Sequence, residues 1–304
     1  MLLKVRAIAT LLLFGCLLAL TTSVKGADLP VFCGGKGPLT TIASALKVLN
    51  PAVPNTLTVS GICKENVLIR GFDHLTLRAK PGATIQDASG GTGLVLNIER
   101  SGDAIVEGFI INGGAIGVMC SESSVCHFDG NTVQGASVGI QFVQSRGFFG
   151  WNVLQHNGTG LVILESSSVR SAALLIQNNS NSGVDVDTGG SFASFGNTIR
   201  DNGASGIEIY HGSAVLVGTT ITGNSGNGLT VVAHSSVDFE SDSVIAGNGA
   251  SGVFLRDLSY VEFRGANTVT GNFSGLDVAC RPQFPATRGA LTNIGGGITD
   301  CVEP

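Results

Sequence analysis

The sequence predicts an all-β protein: a single-stranded parallel β-helix, a solenoid of about nine or ten rungs with roughly 23 residues in each. Three observations predict it. A glycine followed by an apolar–x–apolar triplet recurs at Gly93, Gly117, Gly139, Gly160, Gly183, Gly206, Gly228, Gly252 and Gly275, with gaps of 21 to 24 residues. Within a repeat, three short strand-like runs are parted by turn residues, as in "GLTVV", "VDF" and "SVIA" after Gly228. The alternation in "GLTVV" is the period of a strand with one buried face, and no repeat holds a helical pattern of useful length. Thirdly, asparagine keeps two slots. Asn157, Asn179, Asn202, Asn224, Asn248 and Asn272 precede the repeat glycine, and Asn131, Asn152, Asn197 and Asn267 precede the last strand of a repeat. Asparagine tolerates left-handed backbone, and stacked amides can hydrogen-bond from rung to rung.

Each element follows in order. In residues 1–26, Lys4 and Arg6 precede an apolar run and Val24 and Gly26 fit a cleavage site, so the segment reads as a signal peptide. No second long apolar run follows, so no membrane span is expected in the mature chain. Residues 27–55 form an N-terminal cap, where Ile42, Ala45, Leu46 and Leu49 share one face of an amphipathic helix at 40–50. Residues 56–280 are the β-helix, each strand pairing with its equivalent one rung away at about 4.8 Å. Residues 281–304 abandon the frame and form a C-terminal cap, the kind of end a repeat array needs. No linker interrupts the repeats, so the chain is one domain.

Six cysteines follow the leader. An exported chain meets an oxidising compartment, which favours disulfides: Cys33–Cys63, Cys280–Cys301 and Cys120–Cys126. No CxxC pair or histidine cluster supports zinc. Formal charge is −5, charged residues make up only 13%, and no basic stripe exists, which argues against a nucleic-acid partner. Phe128, Phe195, Phe239 and Phe263 recur on the second strand and are expected to stack inside. Ser167, Ser191, Ser213, Ser235 and Ser259 fit a turn ladder.

The glycine/asparagine frame resembles right-handed parallel β-helix proteins of the pectate-lyase-like superfold, short-rung type, over about residues 56–280. In many proteins of that superfold the first-strand face carries the substrate groove, acidic residues hold calcium, and an Arg or Lys removes a proton beside a uronate carboxylate. Specific family motifs are missing here: "YHGS" at 210–213 is a fragment of one, and "RPQFPATR" at 281–288 has altered spacing.

Alternation places the second and fourth residues after each repeat glycine outward. These read Val95 early in the array, and Asp185/Asp187, Glu208/Tyr210, Phe254/Arg256 and Asp277 late in it. Asp185 and Glu208 are expected one strand spacing apart, which calls for a cation or a raised pKa. By the resemblance, Asp185, Asp187 and Glu208 are candidate Ca²⁺ ligands. Arg256 and His234 are candidate catalytic groups, and Tyr210, His211 and Asp277 candidate substrate-binding residues. The expected function is an exported scaffold, secreted or periplasmic and monomeric, that binds polysaccharide, an acidic one by preference. The alternatives are a Ca-assisted polysaccharide lyase or epimerase on uronate polymers, and a surface adhesin or accessory protein.

Overall fold

A computed structural model describes residues 26–281, 287–288 and 294–301. The signal peptide proper and most of the C-terminal cap lie outside the described residues.

The chain winds as an all-β parallel solenoid of about 10 turns, with rungs of about 22 residues. The glycine-led strands form one ten-stranded parallel sheet, from Val67–Arg70 to Val278–Arg281; it is called the glycine sheet below. A second parallel sheet starts at Asp28–Cys33 and carries the second strand of each rung. A third is made of three-residue strands such as Thr198–Arg200. The long strand Asn55–Lys64 turns the corner between the last two and pairs in both. The inward residues, such as Ile207, Ile209, Leu229 and Val231, are fully buried along the axis.

Seven of the repeat glycines hold one register, from Gly117 to Gly252. Close approach explains them. A Cβ on Gly206 would lie 2.7 Å from the Gly228 carbonyl oxygen and 2.5 Å from Ile221 Cγ2. The frame slips by two residues at both ends. Leu96 pairs with Val118 and Val253 with Val278, so Val95 and Asp277 stand where the glycines would be. Val95 therefore points into the core and Asn97 outward in its place.

The amide ladder forms as expected. The Nδ2 groups of Asn179, Asn202, Asn224 and Asn248 each donate to the next rung's Asn Oδ1 at 2.9–3.0 Å, and their backbone N–H groups donate to the same oxygens at 3.1 Å. Serine at Ser101, Ser124, Ser145, Ser167, Ser235 and Ser259 lines one corner, and all six are buried. Ser191 and Ser213 are not in that ladder. They align with Ser168 and Ser236, and the corner slot is taken by Gly190 and Gly212.

Phe128, Phe239 and Phe263 are interior, and the last two stack at 5.1 Å between centroids. Phe195 departs from the expectation. Ser194 occupies the inward position at that rung, bonded to Thr219 and Asn197, so Phe195 faces out. The three disulfides Cys33–Cys63, Cys120–Cys126 and Cys280–Cys301 are present.

At the N-terminal end the helix is shorter than its apolar pattern, Ile42–Leu46, with Ile42 and Ala45 buried. Thr41 caps it, and the Glu65 carboxylate accepts from Ile42 N and Ala43 N at 2.7 and 3.0 Å, satisfying first-turn donors that have no partner inside a helix. Among the described residues no helix is long and apolar enough to cross a membrane.

Candidate functional site

The outward face of the glycine sheet carries two rows. One runs Asn97, Met119, Gln141, Val162, Asp185, Glu208, Thr230 and Phe254. The other brings Asp187, Tyr210, Val232 and Arg256 into successive rungs, one step closer to the corner. Parallel stacking turns two positions 23 residues apart in sequence into direct neighbours.

Asp185 and Glu208 are such neighbours, paired in register. Asp185 is partly buried, and its Oδ1 is shielded from solvent with no hydrogen-bond partner. Burial pushes its pKa up to about 7, with the Glu208 carboxylate raising it further and a hydrogen bond from buried Ser182 opposing the shift. A half-buried carboxyl facing a second carboxyl on the neighbouring strand is favoured in its neutral form. Burial also raises the pKa of Tyr210, followed by the Glu208 charge; the residue is 37% exposed.

The other sequence candidates are spread around this pair. Asp187 Oδ1 accepts from Thr188 N at 2.5 Å and lies 3.7 Å from His211 Nδ1. His211 and His234 occupy corner positions with φ of 49° and 63° and line one shallow depression of about 330 Å³, whose floor is Gly190 and Gly212. Arg256 is two rungs beyond Tyr210, and its Nε donates to Asp257 at 2.9 Å.

Asp277 is a correction. Expected on the outward face as a substrate contact, it is buried, because the frame slip turns it into the slot of the repeat glycine. Its Oδ1 accepts from Asn272 N and Nδ2 at 3.1 and 3.0 Å, and its Oδ2 from Ile298 N at 3.0 Å. It terminates the amide ladder and ties down the cap.

Calcium takes six to eight oxygen ligands. Among the described residues, the only acidic, histidine or cysteine trio whose ligand atoms lie within 4.8 Å of one another is Cys33, Cys63 and Glu65, two of them in a disulfide. Asp185, Asp187 and Glu208 do not converge as a trio.

Sequence reasoning missed a cluster on the second sheet. His127 stacks on Phe148 at 4.8 Å, and the Arg170 guanidinium lies 4.4 Å over the Phe195 ring. The available signal was "RGFFGW" at 146–151: of two adjacent phenylalanines on a strand, one must face out.

The family model describing a right handed beta helix region matches residues 92–244. Among solved structures, pectate lyase Pel9A superposes with a TM-score of 0.57 at 10% identity, covering 92% of this chain and 79% of that one. The Azotobacter vinelandii mannuronan C-5 epimerase AlgE4 A-module gives 0.56 at 16% identity, covering 86% and 90%. At these identities the likeness is one of fold. No curated protein sequence gives a significant match.

Proposed function

The chain belongs to the right-handed β-helix family, and on that premise we propose that it is an exported polysaccharide-binding protein. The ligand lies along the outward face of the glycine sheet, centred on Asp185 and Glu208. The observation that carries this reading is the Asp185 carboxyl, which keeps a proton up to about pH 7 and has one shielded, unpartnered oxygen. A protonated carboxyl beside a second carboxyl and a phenol supplies donors and acceptors together, which matches sugar hydroxyls. Met119, Val162, Leu164 and Phe254, partly buried along the same rows, offer apolar contact to the faces of sugar rings. A pectate lyase and a mannuronan epimerase share the fold, which supports a polysaccharide as the ligand class. Three disulfides are compatible with an extracellular or periplasmic setting.

The same carboxyl favours a second reading. A group that titrates near 7 is tuned for general acid–base work. On a uronate, ionised Asp185 would take the C5 proton. In β-elimination the electron pair then forms the C4–C5 double bond as the C4–O bond breaks; in epimerisation a proton returns to the opposite face. Tyr210 stands next to this pair, whereas Arg256 is held by Asp257 and His234 sits at the corner.

Calorimetric titration with oligogalacturonate and oligomannuronate tests the binding reading. Tyr210→Ala and Asp185→Asn each weaken binding about tenfold or more; unchanged affinity in both removes the site from this face. Ultraviolet absorbance of a new double bond, or solvent deuterium appearing at C5, separates elimination and epimerisation from binding alone. A protein inert towards every saccharide leaves the adhesin or accessory role standing.

A further inference from the structure

The second sheet carries a surface that owes nothing to the Asp185 site. Strands Val125–Asp129, Arg146–Gly150, Ser168–Ala172 and Ser191–Phe195 are parallel neighbours in register. Their outward residues make two rows: His127, Phe148, Arg170 and Ala193 in one, and Asp129, Gly150, Ala172 and Phe195 in the other. Gly150 and Ala172 bring almost no side chain to the second row. A depression of about 290 Å³ opens over them, bounded by Asp129, Phe148 and Arg170. That is near the lower end of the volumes small-molecule clefts occupy, about 300–1,000 Å³.

Its walls are held in place by their own contacts. The His127 ring stacks on Phe148 with the planes 14° apart, and its Nε2 lies 3.1 Å from Asp103 Oδ1. Phe148 keeps 39% of its surface exposed, and Trp151, the residue after the strand, keeps 75%. Large aromatic faces left in water on a folded monomer mark places where something binds. Arg170 adds the chemical class. Arg70, Arg78, Arg100, Arg200, Arg256, Arg264 and Arg281 each pair with a carboxylate, whereas Arg146 and Arg170, on adjacent strands, form no ion pair among the described residues. Arg170 is pinned instead over the Phe195 ring, an arrangement that fixes the guanidinium and leaves its N–H fork open to an anion.

An aromatic floor edge, a fixed guanidinium and a rung repeat of about 4.8 Å are what a chain of carboxylate-bearing sugars would meet residue by residue. We infer that the Phe148–Arg170–Phe195 surface is a second saccharide site, for a linear polymer of uronic acids running along the solenoid axis. Sugar faces pack on Phe148 and Trp151, and a uronate carboxylate pairs with Arg170. The inference shares only its ligand class with the glycine-sheet proposal and stands on different residues.

Titration of the full chain with oligogalacturonate, and with the same oligomer fully methyl-esterified, tests it. Phe148→Ala and Arg170→Gln are each expected to weaken oligogalacturonate binding about tenfold or more. The esterified oligomer binds the unmodified protein more weakly and is indifferent to Arg170→Gln. Far-ultraviolet circular dichroism and a melting curve confirm that both variants fold. Undiminished binding in both folded variants overturns the inference, as does the absence of binding to either oligomer. If Tyr210→Ala abolishes binding while the Phe148 and Arg170 variants retain it, this surface is ruled out and the glycine-sheet site remains; the reverse pattern rules out that site and keeps this one.

Discussion

The Asp277 carboxylate accepts both the backbone N–H and the side-chain amide of Asn272 through one oxygen, Oδ1. Every asparagine before it in the ladder donates towards the C-terminal end, so the final rung needs an acceptor with no donor of its own. A carboxylate is that group.

Asp277→Ala therefore leaves Asn272 N and Ile298 N without acceptors and removes one acceptor of Asn272 Nδ2, which keeps the Ile245 and Thr270 carbonyls. Each unsatisfied group costs about 1–3 kcal/mol, and an overall loss of about 3 kcal/mol is expected once the cap relaxes. The urea midpoint measures it. Saccharide binding should be untouched in the folded variant, because the side chain does not reach the outward face.

Asp185 makes stability depend on pH. Its folded pKa, about 7, lies above the ordinary value of 3.8. Between those values the folded state holds a proton that the unfolded chain has lost, so stability falls as pH rises from about 4 to about 7 and then levels. Asp185→Asn should flatten that slope and raise the melting temperature at pH 8 relative to the unmodified protein. A slope that persists unchanged in the variant shows that another group carries it.

The rung glycines give a steric prediction. Gly206→Ala sets a methyl group against the Gly228 carbonyl and Ile221. The cost of such overpacking is about 1–3 kcal/mol, read as a lower urea midpoint with an unchanged slope.

Opening Cys280–Cys301 frees a segment whose two ends are 21 residues apart. Loss of a cross-link closing a loop of that size costs about 3 kcal/mol. Cys280→Ser with Cys301→Ser should melt earlier, and limited proteolysis should cut first beyond residue 281.

The solenoid was legible in the sequence because its constraint is local and repeated: a backbone that passes within contact distance of the next rung admits only glycine. The same logic misled at the ends. Gly93 and Gly275 match the motif, yet pairing sets Val95 and Asp277 in the slot, and a two-residue slip is invisible without the neighbouring strand. Asp185 and Glu208 were legible as neighbours, since period and alternation together fix which residues meet. Phe195 was not. Phe192 and Ser194 are the inward residues of its strand, and only the register reveals that the phenylalanine count is offset by one.

The ladder also bears on how such an array can lengthen. "NGASG" recurs at 202–206 and 248–252, and both copies occupy equivalent places two rungs apart. A duplicated stretch that begins and ends at the same point of the rung hands its amide proton to an identical receiver on either side, so internal duplication costs no new chemistry. Extension past Asp277 has no such licence: the terminal carboxylate closes the donor chain, and a rung added beyond it would meet no matching donor.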